Sequence, residues 1–295
     1  SSAASDVYKR QGEYKYVKFN FRSKQGVKGL NVKEAAEQQG KDFNHLTNDL
    51  YNNIYAGNFP KWDLYIQVLD PKDLGKFDFD PLDPTKIWPT ELVPETKVGT
   101  LTLNRMPKNF FNETEQSAFA PGNLVPGIEP SEDRLLQGRI FSYSDTQMYR
   151  LGANHQQIPV NRPVVNVNNN NQDGYMNISE RDSDVNYEPS RKEPKAATEK
   201  ARAVQTPLSG HVQQIGVKEQ NFKQAGELYR SYTAKEKDDL IMNLAADLGA
   251  VKDSETKHIM LSYFYKADAD YGTRMTKAVN GNLATVKAKA AQLKD

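Results

Sequence analysis

The sequence contains no cysteine. That excludes disulfides, thiolate nucleophiles, zinc–thiolate centres and iron–sulfur clusters, and leaves the redox compartment open, with the cytoplasm as the expected location and the periplasm not set aside. No stretch approaches the roughly 18 consecutive apolar residues that a membrane-crossing helix needs, so no membrane association is expected. Charge of one sign is also missing: 39 Lys and Arg stand against 38 Asp and Glu, a net +1, which removes the electrostatic argument for a nucleic-acid partner. Histidine is scarce, at positions 45, 155, 211 and 258, and no two fall at a metal-binding spacing. Nucleophile elbows, Walker loops and dinucleotide fingerprints do not occur.

What is present divides into five segments. Residues 1–11, "SSAASDVYKRQ", have no periodicity and read as a non-native or disordered leader. Residues 12–105 alternate as strands around a helical insertion: Val17, Phe19 and Phe21 share one face of a first strand, and Leu64, Ile66 and Val68 share one face of a second. The insertion between them reads as two helices closed by Gly57 and Pro60. A third strand is expected in "KVGTLTLNR". Residues 106–205 are rich in Pro, Asn and Gly, with one good helix near 132–151, yet keep Phe110, Phe111, Phe119 and Phe141. Such length without regular structure reads as an ordered arm extended over other subunits. Residues 206–281 read as a helical domain. In it Thr233 and Glu236 form a capping box, Leu240, Ile241, Leu244 and Leu248 line one face, and Gly249 is expected at a left-handed helix end. Residues 282–295 have a weak apolar face and read as a helical or frayed tail.

The stretch "RIFSYSDTQMYRLG", 139–152, carries the chemistry. Arg139, Tyr143 and Arg150 are four and seven apart, so on a helix they lie on one face. Two cations beside a phenol on a partly apolar helix call for an anionic counterpart. A surface helix with solvated arginines is the plain alternative. A tyrosinate bound to iron satisfies the pattern, with Arg139 holding the phenolate oxygen and Arg150 meeting a carboxylate at the edge of a flat cofactor.

At these residues the chain resembles the monofunctional haem catalases of the small-subunit type. "RIFSYSDTQMYRLGANHQQIPVN" is similar to their proximal haem helix, and "YVKFNFRSKQGVKGL", "GNFPKWDLYIQVL", "DPLDPTKIWP", "VGTLTLNRMPKNFFNETEQSAFAPGNLVPGIEPSEDRLLQGR" and "QDGYMN" follow the family in order. The resemblance implies an α+β fold: the second half of an antiparallel catalase β-barrel, the wrapping arm with the haem-ligand helix, and a C-terminal α-helical domain. It implies haem, of the b type, with Tyr143 as axial ligand to the iron. Arg139 would bond the phenolate, Asp133 would pair with Arg139, and Arg150 would bind a propionate. Phe119 and Leu135 would line the pocket, and Gln147 stands where many relatives carry His. NADPH would contact Asn20, Arg22, Ile87 and Trp88, although Asn20 replaces a frequent His.

The implied activity is disproportionation of hydrogen peroxide to water and dioxygen in a homotetramer. The family's distal histidine and asparagine find no counterpart here, so the chain reads as a C-terminal portion carrying the proximal side, of low activity alone. A catalytically inactive, catalase-derived haem-binding or assembly scaffold is the alternative, and a peroxidase on the same fold is a third reading.

Overall fold

The computed structural model describes residues 5–8, 14–125, 127–165, 170, 172, 174–180, 183–187, 189–193 and 220–294. The expected boundary at 205/206 and His211 lie outside them. The chain divides into two compact units, one holding residues 1–22, 63–74 and 82–213, the other 23–62, 75–81 and 214–295.

The first unit is built on a five-stranded sheet. Its strands are β1 (Ser5–Tyr8), β2 (Tyr14–Ser23), β3 (Lys61–Leu69), β4 (Glu95–Thr102) and β5 (Ile128–Pro130), in the spatial order β4-β3-β2-β1-β5. The sheet is open. β1 runs antiparallel to β2, with Ser5 opposite Val17 and Tyr8 opposite Tyr14, and antiparallel to β5, with Ser5 opposite Pro130. This corrects the leader expectation, because residues 5–8 are a strand between two others. Four residues are too few for alternation to be visible in sequence.

Two strands bury residues that their pattern places on the solvent side. On β2, Tyr16, Val17 and Lys18 are all buried while Phe21 is exposed. On β3, Gln67 and Leu69 are buried while Val68 is exposed. The cause is the segment between β3 and β4. Gln67 Nε2 donates to the carbonyls of Trp88 (2.9 Å) and Val93 (2.6 Å), and Lys18 Nζ donates to that of Lys86 (2.8 Å). Irregular backbone lying on a sheet brings carbonyls that need donors, and polar strand residues supply them.

The described part of the arm is ordered by amides. Gln172 Nε2 donates to the carbonyls of Ser183 (2.7 Å) and Val185 (2.6 Å), and Asn170 Nδ2 to those of Tyr187 (3.3 Å) and Glu193 (3.0 Å). An Asn- and Gln-rich sequence thereby closes a loop without a ladder.

The second unit is helical: α1 (Val32–Lys41) and α2 (His45–Tyr55) from the insertion, then, beyond α3 of the first unit (Arg134–Leu151), α4 (Lys223–Ser231), α5 (Ala234–Ala250), α6 (Ser254–Ala267), α7 (Ala269–Ala278) and α8 (Leu283–Ala290). The insertion thus groups with the C-terminal helices and not with the strands that flank it. α1 packs on α5, and Val32 N donates to Asn243 Oδ1 at 3.0 Å. The core holds Tyr229, Ile241, Leu261, Tyr271, Met275, Val279 and Val286. Tyr229 and Tyr271 stack at 4.7 Å between ring centres.

Helix ends follow their sequence cues in part. The Thr233–Glu236 capping box is present, and Gly57 takes a positive φ of 81° just past α2. Gly249 does not end α5, which runs through it to Ala250. The tail read as helical or frayed holds the helix α8, fixed by Val286 with no exposed surface and by Asn282 N, which donates to His258 Nε2 at 3.0 Å.

Candidate haem site on the α3 helix

α3 starts where Asp133 stops the preceding chain. Asp133 Oδ1 accepts from Leu135 N (2.8 Å) and Leu136 N (3.2 Å), satisfying two of the N–H groups that a helix start leaves open. The helix ends at Gly152, φ 121°, whose N–H donates to the Met148 carbonyl (2.9 Å).

Leu135, Arg139, Tyr143, Gln147 and Arg150 form one stripe along α3 by their spacing of four, four, four and three. Arg139 Nη2 donates to the Tyr143 hydroxyl at 3.3 Å, and its guanidinium carbon stands 5.1 Å from the ring centre. The structure therefore brings together the two residues at the centre of the sequence reading. Leu135 is 56% exposed and the Phe119 side chain 81% exposed, leaving apolar surface uncovered beside this stripe.

Two expected pairings differ. Asp133 makes no bond to Arg139 among the described residues. It serves as the helix cap, and its second oxygen, Oδ2, is buried without a hydrogen-bond partner. Arg150 faces backbone: Nη1 donates to the Glu115 carbonyl (2.8 Å), Nη2 to that of Ser117 (2.7 Å), and Nε to Gln147 Oε1 (3.0 Å). Buried Gln147 in turn donates from Nε2 to the Phe119 carbonyl (3.0 Å). Together they clamp residues 115–119 along the C-terminal half of α3. Asn161, which the sequence did not single out, completes the clamp by donating to the Gln116 carbonyl (2.9 Å) and accepting from Ala118 N (2.8 Å). The cue for it would have been an Asn among prolines in "IPVNRP", a weak signal.

The residues assigned to NADPH adjoin one another on β2 and the 87–88 segment. Asn20 Nδ2 donates to Gln67 Oε1 (3.0 Å) and Glu95 Oε1 (3.1 Å), and Arg22 makes a two-pronged ion pair with Glu95, Nε to Oε2 and Nη2 to Oε1, both 2.8 Å. Ile87 is exposed. Trp88 is buried and acts as a packing anchor.

Lys18 is the strongly perturbed group nearby. Burial pushes its ammonium down to about 8, while the negative charges of Asp133 and Asp83 pull the other way. An unfolded Lys18 titrates near 10.5, so between about 8 and 10.5 the unfolded chain holds a proton that the folded chain has released. Stability is then expected to rise with pH across that window. Denaturant midpoints measured at pH 7.5, 9 and 10.5 should show the rise, and Lys18→Met should flatten it; an equal slope in the variant would assign it elsewhere.

Comparison with known proteins places this geometry in a family. Residues 1–194 match the family described as "Catalase", and residues 216–279 match "Catalase-related immune-responsive". A catalase of Pseudomonas syringae pv. syringae is 60% identical over 286 residues, covering 97% of this chain and 56% of that protein. Catalase isozyme 2 of Solanum tuberosum is 45% identical over 274 residues, 92% of this chain and 56% of that one. Among solved structures, catalase A from Saccharomyces cerevisiae matches with a TM-score of 0.84 at 29% identity, over 94% of this chain and 59% of that one. A fungal catalase matches with 0.83 at 31%, over 94% and 57%. An open five-stranded sheet, a tyrosine-bearing helix and a helical second unit define an α+β protein. The chain belongs to the catalase family. It spans about half the length of the relatives it matches, 56% in the first of them.

Proposed function

We propose that this chain supplies the proximal side of a haem site that serves the disproportionation of hydrogen peroxide. The Arg139–Tyr143 contact on α3 carries the reading. The donor set fits the group. Among the described residues no cluster of three His, Asp or Glu could hold a metal ion, whereas Tyr143 offers a half-buried phenol oxygen backed by a guanidinium. Uncovered Phe119 and Leu135 offer a flat ring an apolar surface.

Haem b, when bound, would supply an iron that accepts electrons from one peroxide and returns them to another. Tyr143 would ligate that iron through its oxygen, and Arg139 would hold negative charge on the oxygen by donating to it. Gln147 and Arg150 keep the ligand helix in place by tying it to residues 115–119. Proton movement between peroxide oxygens is a separate task that needs a base near neutral pH on the opposite haem face. Two of the described histidines have partners of their own: His155 is buried beside the Gly152 carbonyl (3.2 Å), and His258 accepts from Asn282 N. We therefore expect this chain with haem alone to turn over slowly. Assembly as a homotetramer belongs to the same reading.

Titrating the purified chain with hemin tests this. A distinct, saturable Soret band is expected, with oxygen evolution from peroxide near that of free hemin. A chain with no Soret change would favour an assembly scaffold without haem. NADPH enters as a secondary cofactor through exposed Arg22 and Ile87, and its fluorescence titrated into the same preparation reads it independently. Glu95 already neutralises Arg22, so weak binding is expected.

A further inference from the structure

Asn20 and Arg22 of β2, Tyr65 and Gln67 of β3, and Glu95 at the start of β4 meet on one face of the sheet. β3 lies between β4 and β2, so Glu95 reaches across it. The hydrogen bonds on this face run in one direction. The carbonyls of Trp88 and Val93 can only accept, and both take a hydrogen from Gln67 Nε2. Gln67 therefore turns its Oε1 toward Asn20, and Asn20 must answer with its amide nitrogen, at 3.0 Å. The other hydrogen on that nitrogen goes to Glu95 Oε1, at 3.1 Å. Arg22 adds two donors to the same carboxylate, Nε to Oε2 and Nη2 to Oε1, both 2.8 Å.

Three N–H groups thus converge on one anion, and the Asn20 donor is oriented by the backbone at Trp88 and Val93, not by the anion it serves. A planar guanidinium with a neighbouring amide donor suits a phosphate as well as a carboxylate. The Arg22 side chain is 57% exposed and that of Glu95 12%, so a solute can reach the cation and meets the carboxylate's charge when it does. Lys97 of β4 brings no surplus charge, because its Nζ stands 2.8 Å from Asp63 Oδ2. These four charges cancel.

We propose that Glu95 is a specificity-determining residue: its carboxylate fills the anion subsite built by Asn20 and Arg22, and so selects against a phosphate-bearing nucleotide. Naming a nucleotide rests on the NADPH reading above; the subsite itself does not. A phosphate that approaches Arg22 must displace Glu95 or stand beside a like charge, and like charges brought together at a binding surface are costly. Glu95→Gln keeps the size of the side chain and removes its charge. Arg22 is then left without a counter-ion but largely in water, where the loss to stability is small. The Asn20 donor stays in place, because Gln67 and not Glu95 holds it.

The test compares the full 295-residue chain with Glu95→Gln and with the double variant Glu95→Gln/Arg22→Gln. NADPH and NADH are titrated by fluorescence, and inorganic pyrophosphate by its shift of the thermal midpoint. Glu95→Gln is expected to bind NADPH at least about tenfold more tightly than wild type. Pyrophosphate should raise its midpoint while leaving that of wild type in place. The double variant should lose both gains, because the charged donor is gone. Glu95→Ala, which vacates the space as well as the charge, should show the same gains and decides the matter if the Gln variant does not fold. A gain confined to NADPH puts its additional phosphate at the subsite, and a gain shared by NADH puts the diphosphate there; either supports the proposal. A wild-type chain that binds NADPH as tightly as the variants overturns the role of Glu95 and leaves the nucleotide reading standing. Variants that take pyrophosphate but no nucleotide sink the nucleotide reading and keep the subsite. Variants that respond to neither probe, or a gain that survives in the double variant, overturn the proposal.

Discussion

Replacing Tyr143 by Phe is expected to weaken hemin binding by more than about 100-fold and to abolish the tyrosinate signature in the visible spectrum. Loss of an outer partner of a metal ligand already costs about 10- to 100-fold in affinity, and Tyr143→Phe removes the proposed ligand atom itself. The change is selective because the structure asks little else of the hydroxyl. Its bond from Arg139 is long, 3.3 Å, and the ring beneath the guanidinium, 5.1 Å away, remains. The haem-free chain should therefore lose less than about 1 kcal/mol of stability, in keeping with a weak, half-exposed hydrogen bond. Urea denaturation checks that point and hemin titration the other. Arg139→Gln should act in the same direction with a smaller effect. If the Phe variant binds hemin with an unchanged spectrum, the phenol oxygen is not the ligand and the proximal assignment fails.

The sequence made that helix legible because its cues are local. The spacing of Arg139, Tyr143 and Arg150, four and seven apart, is readable along one stretch. The Thr233–Glu236 box was legible for the same reason. What sequence could not show is which surface another segment covers. Lys18 and Gln67 look like solvent-side residues of alternating strands, and both are interior because residues 86–93 lie over them and present carbonyls. The partners of Arg150 were hidden in the same manner, since the Glu115 and Ser117 carbonyls leave no trace in side-chain pattern. Short strands fail differently: β1 and β5, of four and three residues, exist because they pair with each other. α8 was undervalued since only two of its residues, Val286 and Ala290, are buried, too few to make an apolar face visible in sequence.

Glycines of the helical unit separate local propensity from packing, and Gly272→Ala should show it most sharply. Gly272 lies inside α7, where alanine is intrinsically better by about 1 kcal/mol. A methyl group there would stand 2.2 Å from Tyr265 Cα, 2.4 Å from its Cβ and 2.5 Å from its backbone nitrogen. Two of these are backbone atoms of α6 and the third is the Cβ fixed to them, so none can swing aside as a side-chain end can. α6 and α7 would have to part by about 1 Å or more, opening the contacts around Leu261, Tyr271 and Met275. Two of these, Leu261 and Met275, have no exposed surface. Overpacking against side chains costs about 1–3 kcal/mol, and against backbone more, so the clash outweighs the propensity gain. A loss above about 3 kcal/mol, a large share of a typical domain's stability, is expected in urea denaturation. Gly249 is the internal control. It too is inside a helix, α5, but nothing stands within 4 Å of its would-be methyl. There propensity acts alone, and Gly249→Ala should stabilise by about 0.5–1 kcal/mol. Opposite signs at two helical glycines would show that the α6–α7 contact, and not helix formation, limits the stability of this unit. A Gly272→Ala chain as stable as wild type would mean that the two helices do not pack this closely.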